Sequence, residues 1–146
     1  MASKEEYTFG QLMGIITDIQ EKISNFYEKA ANKMEKTSLK ELFLSFSKKT
    51  LHQKDMLTEK RRRTVTEMTL EPLTGLRLNE KLTQIDNIIK DEQLVFGKII
   101  ELEEILSELY RDVSKKIAYI SADVSYLLDN FSREHRKRKR KLESLR

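Results

Sequence analysis

The chain has 146 residues, with one proline, four glycines, no cysteine and no tryptophan; this suits one domain with a real core, and excludes a many-stranded sandwich or barrel, a disulfide framework and cysteine-ligated metal clusters. Hydrophobic residues make up 38% and charged residues 36%, the balance of long amphipathic helices. The net charge of +4 is unevenly placed: residues Arg133 to Arg146 hold eight Lys/Arg against two Glu, so the rest of the chain is slightly acidic.

The start, Met1 to Tyr7, carries acids and no long apolar run, which predicts no secretory leader. No apolar stretch is long enough to span a membrane, so a soluble, cytoplasmic setting is expected. The first helix is predicted from about Gly10 to Lys36, with Phe9, Leu12, Ile16, Ile19, Ile23, Phe26 and Ala30 forming one stripe. Thr37 or Ser38 then offers an N-cap, with Glu41 placed to complete a capping box with Ser38. The second helix is predicted from Leu39 to about Arg62, on the stripe Leu39, Phe43, Phe46, Thr50, Gln53, Leu57. Two of those positions are polar, which is costly in a buried seam unless they are paired.

Residues from about 63 to 79 contain Pro72 and Gly75 and break the periodicity. That length exceeds a hairpin loop and predicts a crossover along the bundle. A third helix is predicted from about Leu78 to Ile117, broken near Gly97, on one stripe running through Ile85, Ile89, Glu92, Phe96, Ile99, Glu103, Leu106 and Tyr110. This long apolar stripe is expected to leave a face for a homodimer. The fourth helix starts near Ser121 or Asp123 and carries Val124, Leu128, Phe131, His135, Arg138 and Leu142 inward.

The two halves superpose. A shift of 83 residues places Ile16 on Ile99, Ser24 on Ser107, Tyr27 on Tyr110 and Lys33 on Lys116. A shift of 85 places Leu42 on Leu127, Phe46 on Phe131, Ser47 on Ser132 and Leu57 on Leu142. The chain therefore reads as a duplicated helical hairpin, about 10–62 and about 80–145, joined by the crossover in a single domain. The segments Ile23 to Ala31, Leu39 to Phe43 and Phe46-Ser47, echoed by Leu109-Tyr110, Leu127-Leu128 and Phe131-Ser132, resemble the rubrerythrin branch of the ferritin-like superfamily.

The resemblance implies an all-α, ferritin-like four-helix bundle with a crossover between helices two and three. It also implies a di-iron centre, with a Glu seven residues before a Tyr on helices one and three and a Glu-x-x-His on helices two and four. Carried over position by position, those places hold Gln20, Glu103, Thr50 with Gln53, and His135 with Arg138. Sliding the second helix by one gives Lys49 and His52 instead. One carboxylate remains of the expected four, and Arg138 puts a permanent cation where metal charge would sit. The expectation is a degenerate site without metal, in which Arg138, with His135, pairs with Glu103, while Tyr27 and Tyr110 are large core residues beside it. An altered iron site using Glu103, His135 and His52, in a rubrerythrin-type oxidoreductase, is the alternative.

No cysteine nucleophile, glycine-flanked serine elbow or phosphate-binding glycine loop is present. The sequence thus reads as a non-catalytic structural or interaction module with an unidentified protein partner. Arg61, Arg62 and Arg63 end the second helix, and Arg136, Lys137, Lys139, Arg140 and Lys141 lie in the last. If the two clusters share one end of the bundle, they form a basic pole for nucleic acid or another polyanion.

Overall fold

Apolar residues recurring at steps of three and four produce five helices in the computed structural model, which describes residues 5–63 and 69–146. These are α1 (Phe9–Asn32), α2 (Thr37–Arg63), α3 (Leu78–Lys90), α4 (Phe96–Ile117) and α5 (Ala122–Ser144). Two-residue strands β1 (Glu6–Tyr7) and β2 (Leu73–Thr74) pair antiparallel, with Glu6 opposite Thr74 and Tyr7 opposite Leu73. The architecture is an all-helical bundle, and its core runs from Phe9 and Leu12 to Leu128 and Leu142.

Side-chain pairs fix the helix directions. Tyr27 meets Glu103, and Gln20 lies beside Tyr110, so α1 and α4 are antiparallel. Arg138 reaches Thr50, while Lys60 and Arg63 line a cleft with Ser121, Asp123 and Val124, so α2 and α5 are antiparallel too. Lys22 pairs with Asp86 and Lys33 with the Glu92 carbonyl, so α3 climbs parallel to α1; Lys81 faces Asp112 on the antiparallel α4. The crossover is thus α3 itself, which covers the seam between α1 and α4 with Ile85 and Ile88.

The duplication appears as repeated contacts. Ser24 and Ser47 exchange hydroxyl-to-carbonyl hydrogen bonds between α1 and α2, at 3.1 and 2.9 Å. At the equivalent positions, Ser132 donates to the Ser107 carbonyl at 2.7 Å, and the two hydroxyls lie 3.3 Å apart. The Tyr27–Phe46 edge contact, at 5.2 Å and 71°, recurs as Tyr110–Phe131 at 5.6 Å and 76°. Small hydroxyls at these points let the helices of each hairpin approach closely while satisfying their own donors.

Several expectations are corrected. The break expected near Gly97 falls at residues 91–95, but there the chain reverses instead of continuing in one direction, and Asp91 Oδ1 accepts from the Gln93 N–H at 2.9 Å. This local side-chain turn replaces a glycine break, and Gly97 sits inside α4. The connector expected over 63–79 does not itself cross the bundle, although residues 64–68 lie outside the described ones; β2 stays at the end where α1 begins. The apolar stripe expected to offer a dimer face is used inside the chain, because α3 folds back onto α1 and α4. Ser38 lies within the first turn of α2, which starts at Thr37.

The two basic clusters also separate. Arg63 ends α2 beside the start of α5, while Arg146 at the other end of α5 reaches Gly97 at the start of α4. They stand at opposite ends of the bundle and form no common pole.

Helix starts follow local chemistry. Thr8 and Gln11 form a reciprocal capping box at α1, and the Ser121 hydroxyl accepts from Val124 N–H at α5. At α3, Arg77 is left-handed with φ 51° and makes no cap. The Glu5 carboxylate takes that role from across the bundle end, accepting from Leu78 N–H at 2.8 Å and Asn79 N–H at 2.6 Å. The carboxylate also favours the positive end of the helix dipole. Glu5→Ala is expected to cost about 1 kcal/mol of stability in urea denaturation, with faster hydrogen exchange confined to the first turn of α3. Uniform loss of protection in every helix would contradict this role.

Candidate functional site

The polar residues of the helical stripes meet in the middle of the bundle. Gln20 of α1, Thr50 and Gln53 of α2, Glu103 of α4, and His135 and Arg138 of α5 are all buried. Periodicity places them there: each sits three or four residues from an apolar core position on its own helix. His52 and Lys49 are exposed on α2, so neither side chain joins this buried set.

Glu103 is the centre. Its Oε1 accepts a short hydrogen bond from the Tyr27 hydroxyl, and its Oε2 lies 2.5 Å from His135 Nδ1. Arg138 Nη1 stands 3.9 Å from Oε1, an ion pair without a hydrogen bond. The guanidinium donates instead to Thr50 Oγ1 at 2.8 Å, and Thr50 donates onward to the Phe46 carbonyl at 2.8 Å. Its plane is held over the Phe46 ring at 5.1 Å, and Glu134 lies 3.7 Å from Nε. His135 stacks on Tyr110 at 5.4 Å and 9°.

These contacts set the protonation states. Burial pushes the Glu103 carboxyl up, but His135, Arg138 and the Tyr27 hydroxyl outweigh it and hold its pKa below the ordinary value. Burial lowers the His135 pKa, with Arg138 acting in the same direction, and Glu103 recovers only part of the shift. His135 is therefore neutral near pH 7, with its proton on Nδ1, where it donates to Glu103. Burial raises Tyr27 and Tyr110 far above neutrality, so both remain neutral hydroxyls. One carboxylate and one guanidinium cancel, and the core carries no net charge.

The arrangement follows the duplication. Tyr27 of the first hairpin reaches Glu103 of the second; Tyr110 of the second lies beside Gln20 of the first, close enough for the amide to lower the hydroxyl's pKa. Neither Gln20 amide atom reaches a hydrogen bond of full geometry. Gln20 Nε2 and Oε1, Gln53 Oε1, His135 Nε2, and Arg138 Nε and Nη2 are buried without hydrogen-bond partners. With His135 protonated at Nδ1, these are three donors and three acceptors, a set suited to neutral hydrogen-bonding groups such as water.

The residues do not fit a di-iron centre. Both Glu103 oxygens are already engaged, no second carboxylate converges on them, and a permanent cation lies within 4 Å. Among the described residues, no group of three or more His, Asp or Glu could hold a metal ion.

The sequence reading missed three partners: Glu134 and Phe46 on Arg138, and the direct bond from Tyr27 to Glu103. The spacing of Glu134 and Arg138, four apart on one helix, carried the first of these signals. Of the eight surface cations expected to meet a polyanion, Lys139 pairs with Glu104 at 2.8 Å, Arg63 with Glu59 at 2.8 Å, and Arg136 donates to Ser107 Oγ at 3.2 Å. Lys137, Arg140 and Lys141 make no ion pair with a described residue. Among the described residues no helix is long and apolar enough to cross a membrane. No protein-family model, curated protein or solved structure matches the chain.

Native His135 and Glu103 both bind protons less readily than in the unfolded chain. Their stabilising contribution is complete above the ordinary histidine value of 6.5 and falls as pH drops through the depressed native values. Urea midpoints are expected to fall as pH drops below about 6.5, with the upper part of this fall absent in His135→Gln. Midpoints that rise on acidification would contradict the assigned protonation states.

Proposed function

We propose that the chain is a metal-free, non-catalytic member of the ferritin-like superfamily, resembling its rubrerythrin branch, that serves as a structural or interaction module. The observation that carries this reading is the engagement of Glu103 by Tyr27, His135 and Arg138. At the position where the resemblance places a metal ligand, the protein supplies its own cation and donors. The helix order, with two antiparallel hairpins and a crossover helix between them, supports the same kinship. Neutral tyrosines, a neutral histidine and a sealed ion pair provide no exposed nucleophile or base.

For the interaction role, the exposed face of α5 is a surface with a cluster of unpaired charge. Lys137, Arg140 and Lys141 lie within two turns and favour a polyanion through charge alone, since no aromatic residue stands among them to stack on bases. This contact uses α5 only, because Arg61, Arg62 and Arg63 lie at the other end.

Two measurements test the proposal. Protein purified from iron-rich medium is expected to retain no stoichiometric iron; two tightly held irons per chain would overturn the metal-free reading and favour the oxidoreductase. The chain is expected to bind heparin at low salt and release it as salt rises, with retention lost in Lys137→Glu/Arg140→Glu/Lys141→Glu. Unchanged retention in that variant would remove α5 as the contact.

A further inference from the structure

The cleft between α1 and α3 is chemically unlike the polar core. It encloses about 330 Å³. Phe26 and Ala30 on α1, with Ile89 of α3 and Leu94 just beyond it, give it a carbon floor. Lys22, Lys29, Lys33 and Lys90 stand around it, with Asp86 and Asp91 as the acids.

Asp86 pairs with Lys22 at 3.5 Å, and Asp91 Oδ1 accepts from the neutral Gln93 N–H at 2.9 Å and keeps its charge, so the four lysines of the cleft exceed its two acids by two. Lys33 Nζ donates to the neutral Glu92 carbonyl at 3.2 Å, which leaves its charge uncompensated. Lys29 and Lys90 are exposed and have no partner among the described residues. They stand on the two walls of the cleft, one on α1 and one on α3.

A carbon floor under a rim with a surplus of ammonium groups over carboxylates is complementary to one kind of molecule. We propose that this cleft binds a free anionic amphiphile, with a medium-length hydrocarbon chain on Phe26, Ala30, Ile89 and Leu94 and a terminal carboxylate or phosphate held by Lys29, Lys33 and Lys90. The volume is at the lower end for small-molecule sites, which favours a single chain over a two-chain lipid. Burial of the chain supplies most of the binding free energy, and the lysines select the anionic head. The inference does not depend on the metal-free reading of the core, since no residue is shared.

Calorimetric titration of the full-length chain with decanoate and with decyl phosphate, below their micellar concentrations, tests this. Decanoate or decyl phosphate is expected to bind saturably at one per chain, with decanol and acetate each much weaker. Whichever of the two acids binds more tightly identifies the preferred head. Lys29→Glu/Lys90→Glu is expected to weaken binding of the acids roughly tenfold without changing the weak affinity for decanol. Lys137→Glu/Lys141→Glu, the same charge change on α5, is expected to leave it unaltered. Equal binding of decanol, equal loss in the α5 variant, or binding only to vesicles of anionic phospholipid would each overturn the proposal, as would no saturable binding of either acid.

Discussion

A carboxylate with no exposed surface has to be neutralised by the protein around it, and the centre of this bundle is organised by that need. Glu103 is contributed by α4, its hydrogen-bond donors by α1 and α5, and its counter-charge by α5. An unpaired buried charge would cost several kcal/mol, comparable with the whole stability of a domain this size. The ion pair does not have to add stability over an apolar core to matter. It ties the two hairpins together in one register, because Tyr27 and Thr50 of the first bind Glu103 and Arg138 of the second.

The internal duplication gives this interaction its context. Gln20 and Gln53 occupy in the first hairpin the places that Glu103 and Arg138 occupy in the second. Half of the site is neutral amide, and the other half is a charge pair of zero net charge. The two halves thus show two ways of filling the same inward polar positions. The serine and tyrosine contacts repeat closely between the hairpins, so the backbone frame is kept while the polar filling diverges.

Much of this was legible from residue spacing. The stripe of each helix placed Gln20, Thr50, Gln53, Glu103, His135 and Arg138 inward, because a period of 3.6 leaves little freedom once the apolar neighbours are buried. The offsets of 83 and 85 residues identified which positions are equivalent. Direction was not legible. Glu92 keeps the stripe's spacing across residues 91–95 although it is exposed, and the reversal there is made by Asp91, without proline or glycine. A single missed reversal misassigned the crossover and offered a dimer face that α3 covers, while the common basic pole followed from an up-down helix order that the crossover itself rules out. The cap that Glu5 provides to α3 was also beyond reach, since it joins residues more than 70 apart.

The most direct test is a double-mutant cycle on Glu103 and Arg138, read as unfolding free energy in urea at pH 7.5. Arg138→Gln leaves the buried Glu103 carboxylate without a counter-charge, and Glu103→Gln leaves Arg138 only the partly exposed Glu134; each is expected to cost about 3–5 kcal/mol. The double variant removes both charges and gives the second hairpin the Gln/Gln filling that the first already carries. It is expected to lose no more stability than either single variant, which corresponds to a coupling energy of about 3 kcal/mol or more. Additive losses would show that Arg138 does not neutralise Glu103, and would contradict the account of the core.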